Sequence, residues 1–351
     1  MKRKTTFADI GVGPDHEPFI IAEMSGNHNG DLDRALAIVD AVAATGAQAV
    51  KLQTYTAETM TLDINEGDFR IEDPESLWHG YSLYDLYEKA HTPWEWHKAI
   101  FERARQHGMM CFSSPFDATA VDFLEELDAP LYKIASFECV DIPLIRKVAN
   151  TGKPMIISTG MATPQDIDLA VRTAKEAGAG DVMILKCTSS YPATPENSNL
   201  RTIPNMRDAF GVQVGLSDHT LGIGAAVASV AFGAVAVEKH VTLKREEGGV
   251  DADFSLEPHE LQLLVDETRR AWQALGDVHY GRTGSEEGSR AFRRSLYVCK
   301  PLKAGDVLDE SNLRAIRPGF GLEPRYYDLL LGKRVNQDVQ RGTPMSWDLI
   351  G

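Results

Sequence analysis

Eight short apolar runs, most of them followed by a stretch able to form a helix, constrain this chain more than any other feature. They are Phe19–Glu23, Ala49–Gln53, Met109–Ser113, Leu131–Ala135, Met155–Ser158, Asp181–Lys186, Val212–Ser217 and Ala234–Lys239. Runs this short, apolar on consecutive rather than alternate positions, read as parallel strands buried on both faces. Helix signals lie between them. Asp31 can cap a helix with Leu32, Ala35, Leu36, Val39 and Val42 on one face and Gly46 closing it. Thr92-Pro93-Trp94-Glu95 offers a cap, a first-turn proline and a carboxylate three residues on, for a helix reaching Gln106. Asp117 to Leu127, Pro143 to Ala149, Thr163 to about Gly178, Leu221 to Phe232 and Pro258 to Leu275 are the remaining helices. Strands alternating with helices over roughly 260 residues predict a (β/α)8 TIM barrel rather than an open doubly wound sheet. No G-x-G-x-x-G follows the first strand and no P-loop occurs, which removes the main dinucleotide and nucleotide readings.

The barrel pattern predicts a catalytic domain over 1–280, a Gly-, Ser- and Glu-rich linker over 281–293 and a different kind of module over 294–351. That module has short strands at Ser295–Cys299 and Leu313–Ile316, a turn at Lys303–Asp306 and a helical turn near Tyr326–Leu330. A unit of this size buries little core, so it is expected to dock on something. Thr54–Ala90 is a long polar and aromatic excursion, read either as a lid or as surface, and Thr5–Ile10 as a small cap with His16 nearby.

Composition narrows the function. A formal charge of -15 argues against a general nucleic-acid or anionic-membrane binder. No stretch approaches about 18 consecutive apolar residues, and no apolar segment follows Lys2, Arg3 and Lys4, so neither a membrane span nor a secretory signal is expected. Cys111, Cys139, Cys187 and Cys299 form no C-x-x-C pair and read as reduced residues of a cytoplasmic protein.

Parallel strands point their carboxyl ends to one edge, where barrel enzymes build their sites. His219 and His240 follow the seventh and eighth strands, so both imidazoles can reach one ion or one substrate oxygen. A lone histidine is more often structural; two at matching strand ends beside Asp218 and Glu238 favour a divalent metal. The same edge carries Glu23, Lys51, Gln53, Ser113, Ser114, Lys133, Ser136, Glu138, Ser158, Lys186, Ser189, Tyr191 and Ser217. Lys51 and Lys133 among serines suit a phosphate or carboxylate, although either could instead be the partner of Glu23 or Glu138. The chemistry suggested is a metal-assisted condensation of a phosphorylated anionic donor with a carbonyl acceptor. The rivals are a Schiff-base aldolase using Lys133 or Lys186, and a carbohydrate or ice binder built on the small module.

Ile20 to Gly30, Lys51-Leu52-Gln53-Thr54, Tyr132 to Ser136, Ser158-Thr159-Gly160-Met161, Gly215 to Thr220 and Glu238-Lys239-His240 together resemble the sialic acid (nonulosonic acid) synthase family. Ile316-Arg317-Pro318-Gly319 resembles the antifreeze-like (SAF) domain of that family. His91 to His97, Phe112 to Asp117, Lys186 to Pro192 and Arg293 to Val298 are most similar to its pseudaminic acid branch. The resemblance implies condensation of phosphoenolpyruvate with an open-chain amino-sugar aldehyde, here 2,4-diacetamido-2,4,6-trideoxy-altrose, releasing phosphate; a sialic or legionaminic acceptor is the alternative. It implies that Lys51, Ser114, Lys133, Ser136, Ser158, Ser189 and Ser217 hold phosphoenolpyruvate. His219 and His240 would hold a divalent metal: manganese, or else magnesium or cobalt. Glu23 would serve the attacking water and the oxocarbenium, Glu138 would be a further catalytic carboxylate, and Gln53, Tyr191 and Asp251 would meet the sugar. Arg317 would come from the partner subunit of a domain-swapped homodimer, and Arg293 is a further substrate contact. Three positions depart from the sialic acid branch, which has threonine for Ser114, asparagine for Ser189 and an aromatic residue for Arg293.

Overall fold

The computed structural model describes residues 5–7 and 10–351. The basic start, Lys2 to Lys4, lies outside the described residues. The chain divides into two compact units, the first ending at Gly276 and the second spanning Asp277–Gly351.

The first unit is a closed barrel of eight parallel strands: β1 (Phe19–Glu23), β2 (Ala49–Thr54), β3 (Met110–Pro115), β4 (Tyr132–Ile134), β5 (Met155–Ser158), β6 (Val182–Cys187), β7 (Gln213–Ser217) and β8 (Ala236–His240). Each strand pairs with its sequence neighbours, and β8 returns to β1 with His240 opposite Glu23. Both faces are buried, which explains why the strands read as continuous apolar runs. One parity, including Ile20, Val50, Cys111, Tyr132, Ile157, Ile184, Val214 and Val237, packs outward in the large core between strands and helices. The other, including Phe19, Ile21, Ala49, Met110, Phe112, Ile156, Met183, Leu185 and Ala236, fills the barrel interior, where Val12 joins it. Each valine, leucine, isoleucine, phenylalanine or methionine among them contributes ~1.5–3 kcal/mol by leaving water.

Most helices begin where their caps predict. Asp31 accepts from the amides of Asp33 and Arg34 at the start of α1 (Leu32–Ala44), and Asp117 does the same for Thr119 and Ala120. Thr163 and Asp166 form a reciprocal capping box on the helix Pro164–Glu176. Thr92 does not cap. The helix Trp94–Gln106 starts one residue later than its signals suggest, with Pro93 in the cap position and no side-chain cap. The Thr92 hydroxyl is taken by His28 Nε2, 3.2 Å away. Helix Thr202–Phe210, between β6 and β7, has no signature in the sequence: it has no side-chain cap, contains Pro204, and buries only Ile203 and Met206.

The excursion after β2 is not a bare loop. It holds short helices at Ala57–Met60 and Leu83–Ala90 and a 3-10 turn at Gly67–Phe69. The Trp78 indole donates to the Val250 carbonyl at 2.9 Å, and its ring lies 5.8 Å from that of Tyr191, so this segment lies over the carboxyl-terminal face of the barrel. A cavity of about 460 Å³ opens beside it, walled by Gly26, Leu77, Trp78, Tyr81, Lys89 and Val250.

In the second unit, strands Ser295–Val298 and Leu313–Ile316 pair antiparallel, followed by a helical turn at Tyr327–Leu330. Leu296, Leu308, Leu313, Leu330, Val335 and Met345 form its own small core. The stretch read as a linker contains a 3-10 helix, Gly284–Phe292. Among the described residues, no helix is long and apolar enough to cross a membrane.

Candidate active site

The interior parity that buries Phe19, Ile21, Ala49, Phe112 and Ile156 deeper in the barrel carries polar groups at the carboxyl ends of the same strands. Two positions beyond Ile21 stands Glu23; beyond Ala49 stand Lys51 and Gln53; beyond Phe112, Ser114; beyond Ile156, Ser158. Lys133, Cys187, Ser217, Glu238 and His240 follow the same rule on β4, β6, β7 and β8. A period of two therefore separates a dry floor from a polar mouth on one set of positions.

Glu238 is the hub of this mouth. Its Oε1 lies 3.4 Å from Lys51 Nζ, 3.6 Å from Lys133 Nζ and 3.2 Å from the donating Ser217 hydroxyl. Lys51 Nζ also lies 2.6 Å from Glu23 Oε2 and 3.4 Å from Ser114 Oγ. All of these side chains are buried. Burial alone would push the Glu238 carboxyl up, but Lys133 and Lys51 outweigh it and hold the group ionised, below the usual carboxylate range. Lys133 responds in the opposite sense: burial lowers its ammonium more than Glu238 raises it. Two ammonium groups, Lys51 and Lys133, face the two carboxylates of Glu23 and Glu238, a charge-balanced cluster that sets both ammonium groups in the mouth for charge-assisted bonds to an anionic ligand. Lys51 and Lys133 thus have carboxylate partners and still converge on one pocket.

Glu23 is oriented from both sides, its Oε1 accepting from Gln53 Nε2 at 3.2 Å and from the Ser25 amide at 3.1 Å. The Ser25 hydroxyl in turn donates to Asp251 Oδ2, whose carboxylate lies 3.4 Å from His240 Nδ1. Burial raises the Asp251 carboxyl, but the nearby His240 imidazole and the Ser25 hydroxyl outweigh this and keep it low. Glu138, in a 3-10 turn after β4, is pushed up by burial, and its Oε2 has no hydrogen-bond partner. The Ser158 hydroxyl is likewise buried without a partner, as expected of a donor waiting for a ligand.

Ser136 and Ser189 meet hydroxyl to hydroxyl at 2.8 Å. Gly160 makes this approach possible: at φ +46°, a Cβ there would stand 2.6 Å from Ser189 Oγ and 2.7 Å from Ser136 Cβ. Tyr191 packs on His219 with ring centroids 4.5 Å apart, and burial raises its phenol well above the usual range.

His219 and His240 come together with ring centroids 5.3 Å apart, and Phe254 packs against both. His219 Nδ1 donates to the Thr188 carbonyl at 2.9 Å, since a carbonyl can only accept, and this leaves Nε2 as the basic nitrogen. His240 Nδ1 is buried and makes no hydrogen bond of good geometry. Two imidazoles beside the Asp251 carboxylate suit an open divalent site completed by ligand or water oxygens. No cluster of three or more His, Cys, Asp or Glu is preformed as a metal cage among the described residues.

Several expectations need correction. Lys186 points to the outer parity, its ammonium donating to Thr188 Oγ1 at 2.7 Å and to the Cys187 carbonyl at 3.1 Å, so it is not in the pocket. Ser113 is also outward, in a buried chain with Thr54 and His97. Arg293 and Arg317 belong to the second unit and are exposed. Glu238 received no role from the sequence beyond its place beside His240, although alternation along β8 was a signal that could have found it: it shares the parity of His240.

A closed parallel barrel with lysines, carboxylates and paired histidines at its carboxyl-terminal mouth defines an enzyme that can handle an anionic substrate. The NeuB family model matches residues 38–280, and the SAF domain model matches residues 293–351. The chain belongs to the NeuB family. It is 44% identical over 328 residues to the pseudaminic acid synthase of Campylobacter jejuni, covering 93% of this chain and 95% of that one. It is 40% identical over 334 residues to the pseudaminic acid synthase of Helicobacter pylori, covering 95% and 98%. Among solved structures, the N-acetylneuraminic acid (sialic acid) synthetase of Leptospira borgpetersenii superposes with a TM-score of 0.73 at 31% identity, over 83% of this chain and 96% of that one.

Proposed function

We propose that this chain is a pseudaminic acid synthase, condensing phosphoenolpyruvate with 2,4-diacetamido-2,4,6-trideoxy-altrose and water to give a nine-carbon nonulosonic acid and phosphate. The observation that carries the reading is the Lys51–Glu238–Lys133 arrangement opening beside the two histidines, together with the 40% to 44% identity to enzymes of that name.

Lys51, Lys133 and the hydroxyls of Ser114, Ser136, Ser158, Ser189 and Ser217 hold the phosphoenolpyruvate anion. The buried Ser158 hydroxyl and the paired Ser136 and Ser189 hydroxyls supply its neutral donors. His219 and His240 would hold a divalent metal, manganese, whose Lewis acidity would serve to polarise the acceptor aldehyde. Glu23, fixed by Gln53 and Ser25, takes a proton from the attacking water and faces the positive charge that develops at the donor's C2. Glu138, raised by burial, is protonated more readily than an ordinary glutamate and suits proton delivery. Gln53, Tyr191 and Asp251 line the sugar side.

Leu62, Phe137, Val140, Met161 and Leu221 are exposed apolar residues in the loops of the barrel's carboxyl-terminal face. A rim of this kind supports a domain-swapped homodimer, in which a partner's SAF domain covers the mouth and brings Arg317, with Arg293 near the sugar. The acidic charge and reduced cysteines support a cytoplasmic enzyme.

A coupled assay tests the reading. Phosphate release from phosphoenolpyruvate is measured with the altrose derivative, N-acetylmannosamine or the 2,4-diacetamido mannose isomer as acceptor, and the product sugar is identified. The altrose derivative should give the highest kcat/KM, chelation should abolish turnover and manganese should restore it. Preference for either other sugar, or turnover that survives exhaustive chelation, refutes it; borohydride trapping of a substrate adduct would instead favour the Schiff-base route.

A further inference from the structure

Lys239 belongs to the outward parity of β8, where its strand neighbour Val237 packs in the apolar layer between barrel and helices. A charged residue is out of place there, and Lys239 has 0% of its surface exposed. Its ammonium is nonetheless fully occupied. It lies 3.1 Å from Asp218 Oδ2 and donates to the carbonyls of Thr220 and of Gly222, the latter at 2.9 Å. Asp218, itself buried, accepts from the Thr220 amide at 3.0 Å and from the Thr220 hydroxyl at 3.1 Å, while its own amide donates to the Glu238 carbonyl at 3.0 Å. Asp218 Oδ2 and the carbonyls of Thr220 and Gly222, all following β7, are thereby tied to one atom on β8.

That turn carries His219, and the residue after Lys239 is His240. Taking an ammonium and a carboxylate out of water costs several kcal/mol per ion, and an apolar pair of similar volume usually serves stability as well or better. What the ion pair adds is a fixed geometry. From this we infer that Lys239 is a positioning residue: through Asp218 and the Thr220 and Gly222 carbonyls it sets the backbone that aims the His219 imidazole at the one beside it on His240. The inference rests on the proposed metal-binding role of the two histidines.

Mn2+ titration calorimetry of the metal-stripped full-length enzyme tests it, with the KM for phosphoenolpyruvate and the circular dichroism melt measured in parallel. The variants are K239M, D218N/K239M, which leaves no unpaired buried charge, and H219A. Removing an outer-shell partner of a metal ligand typically weakens binding about 10- to 100-fold. The expectation is a loss of that size in the folded lysine variant, single or double, with the KM for phosphoenolpyruvate within about threefold of wild type. Mn2+ affinity within twofold of wild type in the folded D218N/K239M protein, alongside weakened binding in H219A, overturns the role of Lys239 and leaves the metal site standing. Unchanged affinity in H219A overturns the metal reading itself, and the role of Lys239 with it.

Discussion

Lowering the pH from 7 to 5 should destabilise the barrel unit by ~4 kcal/mol through two buried histidines that the catalytic residues never touch. His28 and His97 are both shielded from water, and burial lowers each imidazole to about 4. Their hydrogen bonds fix the neutral form. His28 Nδ1 accepts from the Gly30 amide at 3.1 Å, so the ring proton sits on Nε2 and is donated to Thr92 Oγ1. His97 Nδ1 donates to the Pro93 carbonyl at 3.2 Å, so Nε2 accepts from the Thr54 hydroxyl at 2.8 Å. A second proton on His28 would face the Gly30 N–H, donor against donor. Between pH 6.5 and 4 the unfolded chain binds these protons and the folded chain does not, so stability is complete above pH 6.5 and falls as the pH drops towards 4. At pH 5 the difference is ~2 kcal/mol for each histidine, while most carboxylates remain ionised. Urea unfolding followed by circular dichroism at pH 7, 6 and 5 measures it. In the double variant H28Q/H97Q, stability at pH 7 should be lower but nearly flat across this range. Wild-type stability equal at pH 7 and 5, or a variant as pH-sensitive as wild type, refutes the reasoning. The effect bears on function because His28 and Thr92 join the loop bearing Ser25 to the end of the excursion over the mouth.

Two further changes act on the site. In G160A the new methyl group must displace Ser189 or Ser136, and a non-glycine residue at φ +46° adds ~1–2 kcal/mol of strain, so the KM for phosphoenolpyruvate should rise at least tenfold. The control is G178A, at φ +98° with its nearest neighbour 4.0 Å away, which carries the strain without the clash; equal KM values in the two variants would sink the argument. R317A should raise the KM for the acceptor about tenfold, roughly the worth of one hydrogen bond to a charged group, while leaving the melting temperature unchanged; kinetics identical to wild type would exclude the cross-subunit contact.

The barrel was legible because its strands are buried on both faces: runs such as Phe19–Glu23 and Ala49–Thr54 leave little room for another fold, and Asp31, Asp117 and Thr163 announce their helices through local hydrogen bonds. Helix Thr202–Phe210 escaped notice because it buries only two side chains, too few for a periodic signal. Thr92 misled because a cap is a local preference, and a hydroxyl with a buried histidine beside it has a stronger claimant.

The site divides along the same line. Residue type and position at strand ends, which depend only on the chain's own order, determined that Glu23, Lys51, Lys133, His219 and His240 share one edge. Which of them meet depends on closure of the barrel. Closure sets β8 against β1 and faces Lys51 and Lys133 across to Glu238, a contact between positions 187 and 105 residues apart, and alternation alone turns Lys133 inward and Lys186 outward. The sequence alone determined the layers and the chemistry available; only the tertiary structure decided that Glu238 is the hub and Lys239 the brace, because pairing a buried charge is settled by distance through space and not by distance along the chain.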